Sequence, residues 1–476
     1  MTTQVQNLID GQWVGDPQKE RMNPARPSEV AAVSPRSDRD TVDAALTAAS
    51  QAQRGWAETP APARGAILMD AADLLRTRHA DVARDLVREE GKTLAEAMGE
   101  VRRAIDVLRY FGSQGWRLGG DVLPSSLPDT TVFTRHEPIG VAALITPWNF
   151  PIAIPAWKAA PALISGNAVV LKPAELTPLS ATHLAAALRD AGLPAGVLNV
   201  VHGKGSVVGD ALARDPRVGA LSFTGSTAVG LGLHQVLSER RARVQLEMGG
   251  KNGYLVLDDA DAVSAARVVA AGGFSLTGQA CTATSRVYCT PGVREAFVAA
   301  LAKEAERFVP GDGLEDGTGM GPVVSVDQLD VDVRAVARAR EMGATVVTGG
   351  DEAAGWFFNP TILTDVAHDS DVARNEVFGP VVCVMDVDDY DEGVARINDS
   401  RYGLTAGICT TSLRSAHDFA VRAQVGVVKV NRPTTGLDLN VPFGGVRDSS
   451  TNTFREQGPN AVDFYTWGKT VYLGQE

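Results

Sequence analysis

The sequence predicts an α/β protein with more than one domain. From residue 140 onwards, short runs rich in β-branched residues alternate with helical stretches, an order typical of parallel sheets with helices on their faces. At 476 residues, of which 44% are hydrophobic, the chain is too long for one hydrophobic core. We therefore expect two or three domains, each with its own core.

Two segments before residue 140 are predicted to be helical. In residues 40–56 and 63–90, alanine, leucine and valine recur at helical spacing among charged residues. This pattern indicates amphipathic helices that pack on a larger scaffold.

A first series of strands is predicted at residues 141–146, 168–172, 198–201 and 220–224. Asn149, Lys172 and Gly225 fall at or just after the ends of these strands. Because ligands bind at the carboxyl ends of parallel strands, we expect the three residues to lie along one rim of a sheet.

A second series follows Glu247, with strands predicted at 254–257, 286–289, 345–347 and 381–385 and helices at 261–274 and 293–308. It indicates a second α/β domain. The change of series near Glu247 predicts a domain junction there, where clefts usually form.

Charge and composition argue for a small-molecule function. The formal net charge is −12, from 45 basic and 57 acidic residues, and no basic run stands out, so we expect neither nucleic acid nor membrane as a partner. The N-terminus does not resemble a signal peptide, and prolines, asparagine and lysine interrupt the most apolar stretch, residues 141–171. We expect a cytoplasmic protein.

The four cysteines lack CxxC or Cys/His spacing, which predicts neither a metal site nor a disulfide scaffold. Cys289, Cys383 and Cys409 are interpreted as small buried hydrophobic residues on strands. Cys281 differs, because its neighbours Gln279 and Thr282 are polar.

Two glycine-flanked phrases carry reactive side chains: Leu246-Glu247-Met248-Gly249-Gly250-Lys251-Asn252 and Gly278-Gln279-Ala280-Cys281-Thr282-Ala283-Thr284-Ser285-Arg286. A thiol needs a neighbour that activates it, and a covalent thioester needs an activated water to remove it. A cysteine and a carboxylate in such turns therefore suggest covalent catalysis.

These two phrases resemble the paired active-site signatures of the NAD(P)-dependent aldehyde dehydrogenase superfamily. Five more phrases follow the family's order, and together they span nearly the whole chain: Pro147-Trp148-Asn149-Phe150-Pro151, Lys172-Pro173-Ala174-Glu175, Phe223-Thr224-Gly225-Ser226-Thr227, Glu376-Val377-Phe378-Gly379-Pro380 and Pro442-Phe443-Gly444-Gly445.

The resemblance implies an aldehyde dehydrogenase-like α/β fold, with a Rossmann-type cofactor domain, an α/β catalytic domain and a small oligomerisation β-sheet. Residues 1–116 and 137–246 would form the dinucleotide-binding domain, 247–445 the catalytic domain, and 117–136 with 446–476 the oligomerisation segments. The tail from about residue 464 to 472 is predicted to be strand. A homodimer or homotetramer is expected, and composition adds only that exposed strand edges would need partners.

The resemblance also implies the chemistry. Cys281 would attack the aldehyde, the side-chain amide of Asn149 and the backbone N–H of Cys281 would bind the oxyanion, and Glu247 would activate the water that hydrolyses the thioester. On their own, Asn149 would be interpreted as a turn residue between prolines and Glu247 as a surface carboxylate. Relatives that pass the acyl group to coenzyme A generally lack this glutamate, so Glu247 favours hydrolysis.

Cofactor contacts are carried over in the same way to Trp148, Lys172, Glu175, Gly225, Ser226, Glu376 and Phe378. A helix that begins near Ser226 would direct backbone N–H groups at the pyrophosphate. Glu175 favours NAD, since a carboxylate repels a 2′-phosphate, and Lys172 leaves NADP open. Without the resemblance, Glu376 would be expected to face solvent and Phe378 to lie in the core.

The substrate tunnel is expected to be lined by Phe150, Trp157, Thr282, Arg432 and Phe443. Simple packing is the alternative for each aromatic residue. The C-terminal phrases Phe454-Arg455-Glu456-Gln457-Gly458 and Lys469-Thr470-Val471-Tyr472 are similar to those of the α-ketoglutaric semialdehyde subgroup, whose far carboxylate needs a cation. Arg432 is the candidate, with a surface or subunit contact as its alternative interpretation.

Three other functional hypotheses stay open. The substrate could be an aromatic or aliphatic aldehyde, the chain could be a catalytically silent structural relative, or it could transfer its acyl group to coenzyme A.

Residues 447–453 depart from the family's usual glycine- and serine-rich phrase, and no arginine follows Asn149-Phe150-Pro151 as in succinic semialdehyde enzymes.

Overall fold

The computed structural model describes residues 2–351 and 354–474, and two seven-stranded sheets dominate this part of the chain. The strands are β1 (Thr3–Gln4), β2 (Asn7–Ile9), β3 (Gln12–Val14), β4 (Pro17–Asn23), β5 (Arg26–Pro35), β6 (Val122–Leu123), β7 (Thr130–Pro138), β8 (Val141–Ile145), β9 (Ala168–Lys172), β10 (Leu198–Val200), β11 (Val218–Thr224), β12 (Arg243–Glu247), β13 (Asn252–Val256), β14 (Thr284–Cys289), β15 (Thr345–Thr348), β16 (Thr361–Thr364), β17 (Val381–Asp386), β18 (Tyr402–Gly403), β19 (Thr405–Cys409), β20 (Val427–Val430), β21 (Val446–Arg447) and β22 (Thr466–Gly474).

The α-helices are α1 (Arg39–Glu58), α2 (Ala61–Thr77), α3 (His79–Glu90), α4 (Leu94–Gln114), α5 (Ala153–Ile164), α6 (Pro178–Asp190), α7 (Asp210–Arg214), α8 (Thr227–Glu239), α9 (Ala262–Phe274), α10 (Pro291–Ala305), α11 (Val326–Glu341), α12 (Asp371–Arg374), α13 (Tyr390–Asn398), α14 (Leu413–Arg422) and α15 (Asn460–Tyr465). A π-helical turn precedes α7 and a 3-10 turn follows α9. In the described residues, no helix is both long enough and apolar enough to cross a membrane.

The first large sheet has the order β12-β11-β8-β9-β10-β2-β3. The five strands from β12 to β10 are parallel, whereas β2 and β3 add an antiparallel edge. The chain runs outward from β8 to β10 and then returns to the other side of β8 with β11. Such a reversal leaves a crevice at the carboxyl ends of the strands, where α/β proteins bind their ligands.

Both faces of this sheet are covered. Ala142 and Leu144 of β8 pack into one hydrophobic cluster, and Ala143 and Ile145 pack into a second cluster on the opposite face. This alternation follows from the two-residue period of a strand. Each fully buried leucine stabilises the fold by roughly 1.5–3 kcal/mol, so the apolar strand sequences hold the rim in place.

The second large sheet has the order β15-β16-β17-β14-β13-β19-β20 and is parallel except for the β15–β16 pair. Cys289, Cys383 and Cys409 are buried on its strands, as expected. Cys281 lies three residues before β14 and Glu376 five before β17. The second sheet therefore contributes to the site from the amino ends of its strands, whereas the first contributes from carboxyl ends.

A small sheet, β22-β7-β6, joins residues from the two predicted oligomerisation segments. Strand β22 runs antiparallel to β7, from the Thr466–Pro138 pair to the Gly474–Thr130 pair. The predicted strand from residue 464 is wrong at its start, because Phe464 and Tyr465 end helix α15 and are buried in the first core. The helical segment predicted over 63–90 is confirmed, and it consists of two helices because the chain turns at Arg78 between α2 and α3.

Candidate active site

The loop that carries Cys281 begins with three consecutive residues in the left-handed region. Leu276, Thr277 and Gly278 have φ of 55°, 56° and 66°. For the two residues that carry side chains this conformation costs roughly 1–2 kcal/mol each, so surrounding contacts must hold it. A side chain at Gly278 would collide with the carbonyl oxygen of Gly379, so glycine is required there.

Hydrogen bonds from other segments fix this turn. The Leu276 N–H donates to Oε1 of Glu96 over 2.7 Å, and the Thr277 hydroxyl donates to the Gly321 carbonyl over 3.1 Å. The Glu96 carboxylate also completes the capping box at the start of α4. The start of α4 thus positions the turn before Cys281.

Asn149 lies beside the same loop. Its Nδ2 donates to the carbonyl oxygen of Gln279 over 3.0 Å, and its own carbonyl accepts from Lys92 Nζ over 2.8 Å. Lys92 is buried and paired with Glu100 at 2.6 Å. One N–H of the Asn149 amide remains free of these contacts, and among the described residues the Cys281 backbone N–H donates to no residue other than its own thiol. Both are donors of the kind that an oxyanion requires.

Glu247 ends β12, in register with Thr224 of β11. Its carboxyl group is buried, and Oε1 accepts a long hydrogen bond of 3.4 Å from the Ser450 hydroxyl. Oε2 has no hydrogen-bond partner among the described residues. Burial raises the pKa of Glu247 well above its usual value, and the nearby Glu456 carboxylate raises it further. A buried carboxyl group with one free oxygen and a raised pKa is suited to general-base work.

A second buried charge pair lies behind Glu247. Lys158 Nζ contacts Oε1 of Glu456, and Lys158 also donates to the Ser222 hydroxyl over 2.7 Å. Oε2 of Glu456 accepts from the Trp157 indole over 2.8 Å. Lys158 lowers the pKa of Glu247, whereas Glu456 raises it. The sequence alone assigns no role to this pair, although a lysine within the apolar stretch 152–164 indicates a buried partner for its charge.

The Cys281 thiol is in a setting that favours its neutral form. Burial raises the pKa of the thiol above its ordinary value, and the carboxylates of Glu376, Glu247 and Glu456 raise it further. The thiol therefore needs a base or a cationic neighbour before it can react as thiolate. The effect of Glu247 on this pKa also indicates that the two predicted reactive residues lie near each other.

A cavity of about 230 Å³ lies on the crevice side of the loop, and its lining combines both sheets. It is lined by Pro147, Trp148, Asn149, Ile154, Thr224, Gly225, Ser226, Met248, Gly249, Cys281, Gln328, Glu376 and Phe378. The rings of Trp148 and Phe378 meet edge to face, with centroids 5.3 Å apart. The cavity thus contains five of the predicted cofactor residues together with Cys281 and Asn149.

Glu376 enters this cavity from the second sheet. Its Oε1 accepts from the Gly250 N–H over 2.9 Å, and burial raises the pKa of Glu376 to about 7. A side chain at Gly249 would collide with this carboxylate, so the glycine permits the close approach. Glu376 is therefore held against the backbone and does not face solvent freely.

The residues at the first sheet fit a dinucleotide. Helix α8 begins at Thr227, directly after Ser226, so its first N–H groups are available at the rim. The hydroxyls of Thr224 and Thr227 are buried without a hydrogen-bond partner among the described residues. Burial lowers the pKa of Lys172 to about 8, and the neighbouring Glu175 opposes that shift. These are unfilled donors and a cation at the edge expected for a phosphate and ribose.

The predicted substrate residues are only partly brought together. Trp157 and Phe443 are buried and their ring centroids are 6.3 Å apart, Phe150 lies 4.9 Å from Lys92 Nζ, and Thr282 is buried. Arg432 is exposed, and its guanidinium makes no hydrogen bond or ion pair with the described residues. Only its backbone oxygen is engaged, by the Tyr254 hydroxyl at 3.0 Å.

The fold and the site together define a class of enzyme with two α/β sheets. The first sheet resembles those that bind dinucleotides, and the loop before β14 of the second sheet carries a cysteine that faces the shared cavity. The aldehyde dehydrogenase family model matches residues 13–471. The chain is 48% identical to α-ketoglutarate semialdehyde dehydrogenase of Haloferax volcanii, over 99% of each chain. It is 42% identical to 2,5-dioxopentanoate dehydrogenase of Saccharolobus solfataricus, over 98% of this chain and 99% of the relative.

The NAD⁺ complex of aldehyde dehydrogenase from Bacillus cereus superimposes with a TM-score of 0.96 at 35% identity, covering 99% of this chain and 97% of that one. The chain therefore belongs to the aldehyde dehydrogenase family. The predicted α/β fold and the prediction of an NAD(P)-dependent aldehyde dehydrogenase are confirmed by these matches. The predicted domain boundaries and residue roles stay predictions.

Proposed function

We propose that this enzyme oxidises a small semialdehyde, such as α-ketoglutaric semialdehyde, to the free acid by a hydrolytic cysteine mechanism. The observation that carries the hydrolytic step is the buried carboxyl group of Glu247, which has an unpartnered oxygen and acts on the pKa of Cys281. The names of the two relatives, at 48% and 42% identity over nearly the whole chain, support the substrate class.

Covalent catalysis begins at Cys281. Its thiolate attacks the aldehyde carbon, a C–S bond forms, and the carbonyl oxygen becomes an oxyanion that accepts from Asn149 Nδ2 and the Cys281 N–H. NAD(P)⁺, when bound, supplies the acceptor for the hydride. The thioester left on Cys281 is then hydrolysed: Glu247 takes a proton from water, the water oxygen attacks the acyl carbon, and the C–S bond breaks to release the acid.

The cofactor would be held from both sheets. Gly225 and Ser226 would present the start of helix α8 to the pyrophosphate, while Lys172 and Glu175 would contact the adenosine ribose. Trp148, Glu376 and Phe378 line the same cavity as Cys281, which suits the nicotinamide end. NAD is the favoured cofactor because Glu175 would repel a 2′-phosphate, and NADP stays open because Lys172 could pair with one.

The alternatives differ in what their substrates require. Aromatic or aliphatic aldehydes would use the same cysteine chemistry and only the apolar wall at Trp157 and Phe443. A silent structural relative would not need the free oxygen of Glu247 or the positioned Asn149 amide. Transfer to coenzyme A would not need Glu247 as a base, so hydrolysis is favoured over it.

A homodimer or homotetramer accounts for the exposed apolar residues of the small sheet. Leu473, Tyr472 and Trp467 of β22 are 54%, 63% and 44% exposed, and β22 lies at the sheet edge. An unpaired strand edge with apolar side chains is stabilised when another chain packs against it, and a second copy of this chain would do so. Sedimentation equilibrium of the purified chain tests this, and a monomer at micromolar concentration would contradict it. A cytoplasmic location stays a prediction.

The substrate is tested by NADH and NADPH formation with α-ketoglutaric semialdehyde, succinic semialdehyde, benzaldehyde and hexanal. The proposal expects the highest kcat/KM for the dicarboxylic semialdehyde. Preference for the uncharged aldehydes would keep the mechanism and reject the substrate class. Failure to oxidise any of the four would favour the silent relative.

A further inference from the structure

Arg103 is a half-buried cation next to the predicted substrate wall. It lies on helix α4, one turn after Glu100, whose carboxylate accepts from the backbone N–H groups of Ile152 and Ala153. That segment follows Asn149 and Phe150 directly. The face of α4 that carries Arg103 therefore packs where the predicted tunnel begins.

The guanidinium of Arg103 contacts the C-terminal loop that closes the same wall. It donates to the side-chain oxygen of Gln457, which is buried and follows Glu456. Glu456 in turn accepts from the Trp157 indole and its backbone pairs with Phe443. Arg103 thus contacts the residue next to Glu456. Glu456 itself contacts Trp157 and Phe443, two of the expected tunnel residues.

Arg103 has no counter-ion among the residues that the structure describes. No carboxylate oxygen among the described residues lies within 4 Å of it, and burial lowers the pKa of Arg103 while Asp438 and Asp106 oppose that shift from a distance. Asp106 is already engaged by Arg102 at 3.5 Å. A partly desolvated guanidinium without an anion gains most from a bidentate carboxylate.

A second observation points to an anionic ligand at the same place. Nε2 of Gln457 is buried and donates to nothing among the described residues, although its partner oxygen is used by Arg103. Gln457 is also held in the left-handed region, with φ of 59°. A buried unsatisfied amide and a strained backbone are expected where a ligand completes a site.

We propose that Arg103, with the side-chain amide of Gln457, binds the far carboxylate of the semialdehyde and so determines substrate specificity. This proposal rests on the proposed function, and it identifies Arg103 as the residue that recognises the substrate. The substrate carries a carboxylate at one end and the aldehyde at the other, so a cation on the tunnel wall can hold one end while Cys281 meets the other. A local cation is needed because the chain as a whole is strongly acidic, with a net charge of −12.

This assignment replaces Arg432 in that role. Arg432 is exposed and unpaired among the described residues, so a carboxylate bound to it would keep most of its contact with water. Arg103 is shielded and stands beside an unused donor. Substrate binding there satisfies both groups at once.

The test compares Arg103→Met with Arg102→Met, a neighbour on the same helix whose side chain is 75% exposed. The substrates are α-ketoglutaric semialdehyde and pentanal, which have five-carbon chains and differ in charge. For Arg103→Met we expect kcat/KM for the semialdehyde to fall about 10- to 100-fold, mainly through KM, with pentanal within about twofold of wild type. Arg102→Met should change neither substrate.

Pentanal turnover serves as the folding control for each variant. Arg103→Lys keeps a charge but loses the bidentate geometry, so it should weaken inhibition by the product α-ketoglutarate and leave pentanal turnover intact. An equal loss for both substrates, or an unchanged ratio between them, would overturn the role of Arg103. A wild-type enzyme that prefers pentanal would instead reject the proposed substrate, before any variant is considered.

Discussion

The side-chain amide of Asn149 donates to the carbonyl oxygen of Gln279 over 3.0 Å, so a residue from the rim of the first sheet is tied to the loop that carries Cys281. The bond uses one N–H of the amide, and Asn149 lines the same cavity as Cys281. The predicted oxyanion donor is thus held to the loop of the predicted nucleophile, which is the arrangement that electrostatic stabilisation requires.

Asn149→Ala removes a donor that is used fully only when the oxyanion forms. We expect kcat to fall by about 10²- to 10³-fold with little change in the affinity for NAD. Steady-state kinetics with a fluorescence titration of NAD measure both. A fall in NAD affinity of the same size as the fall in kcat would show that the substitution disturbs the cavity as a whole.

Cys281→Ala should abolish turnover and retain NAD binding, because the thiol forms the covalent bond and the cofactor contacts lie elsewhere. Cys409→Ala is the matched control: its thiol is buried on a strand of the second sheet, so activity should persist while the free energy of unfolding falls by about 1 kcal/mol. Residual dehydrogenase activity in Cys281→Ala would reject the nucleophile.

Glu247→Gln should leave the first turnover intact and slow those that follow. The amide cannot take a proton from water, so a pre-steady-state burst of NADH followed by slow release of acid is expected in stopped-flow experiments. Loss of the burst itself would place Glu247 in activation of the thiol.

The pH profile reports on the buried charges around Glu247. Its pKa is raised, and the base must be ionised, so activity is lost as the pH falls through that raised pKa and the acid limb lies above pH ~4.5. Lys158→Met removes a cation that favours the ionised form and should move the limb to higher pH. Glu456→Gln removes a like charge and should move it to lower pH.

Those two variants break a buried ion pair, which costs roughly 3–5 kcal/mol of stability. The profiles should therefore be recorded at a temperature where circular dichroism shows each variant folded. Shifts of the same sign in both variants would contradict the assignment of opposite effects on Glu247.

The strands and the residues at their ends were predictable because their signals are local. Apolar runs such as residues 141–145 and 168–172 predict strands. The residue that follows such a strand lies at the rim of the sheet, and this holds independently of distant parts of the sequence. The Lys158–Glu456 pair was not predictable, since its members are 298 positions apart and only tertiary packing brings them together.

Helix α15 illustrates the same limit at the level of secondary structure. Phe464 and Tyr465 are aromatic and follow no helical pattern, so the sequence favours strand, yet burial in the first core holds them in a helix. The exposure of Arg432 was equally hidden, because the conformation of the loop around it depends on contacts such as that between Tyr254 and the Arg432 backbone.

The dependence of Glu247 on the C-terminal segment bears on how the enzyme is made. Ser450 contacts Glu247 and Glu456 influences its pKa, and both residues leave the ribosome after every strand of the two large sheets. Domains fold as they emerge, N-terminal parts first, so a nascent chain can complete both large sheets and still lack the environment of Glu247. A chain that ends between Cys281 and this segment therefore keeps the predicted nucleophile and the predicted base but lacks the groups that set the pKa of Glu247, so we expect any thioester that it forms to persist.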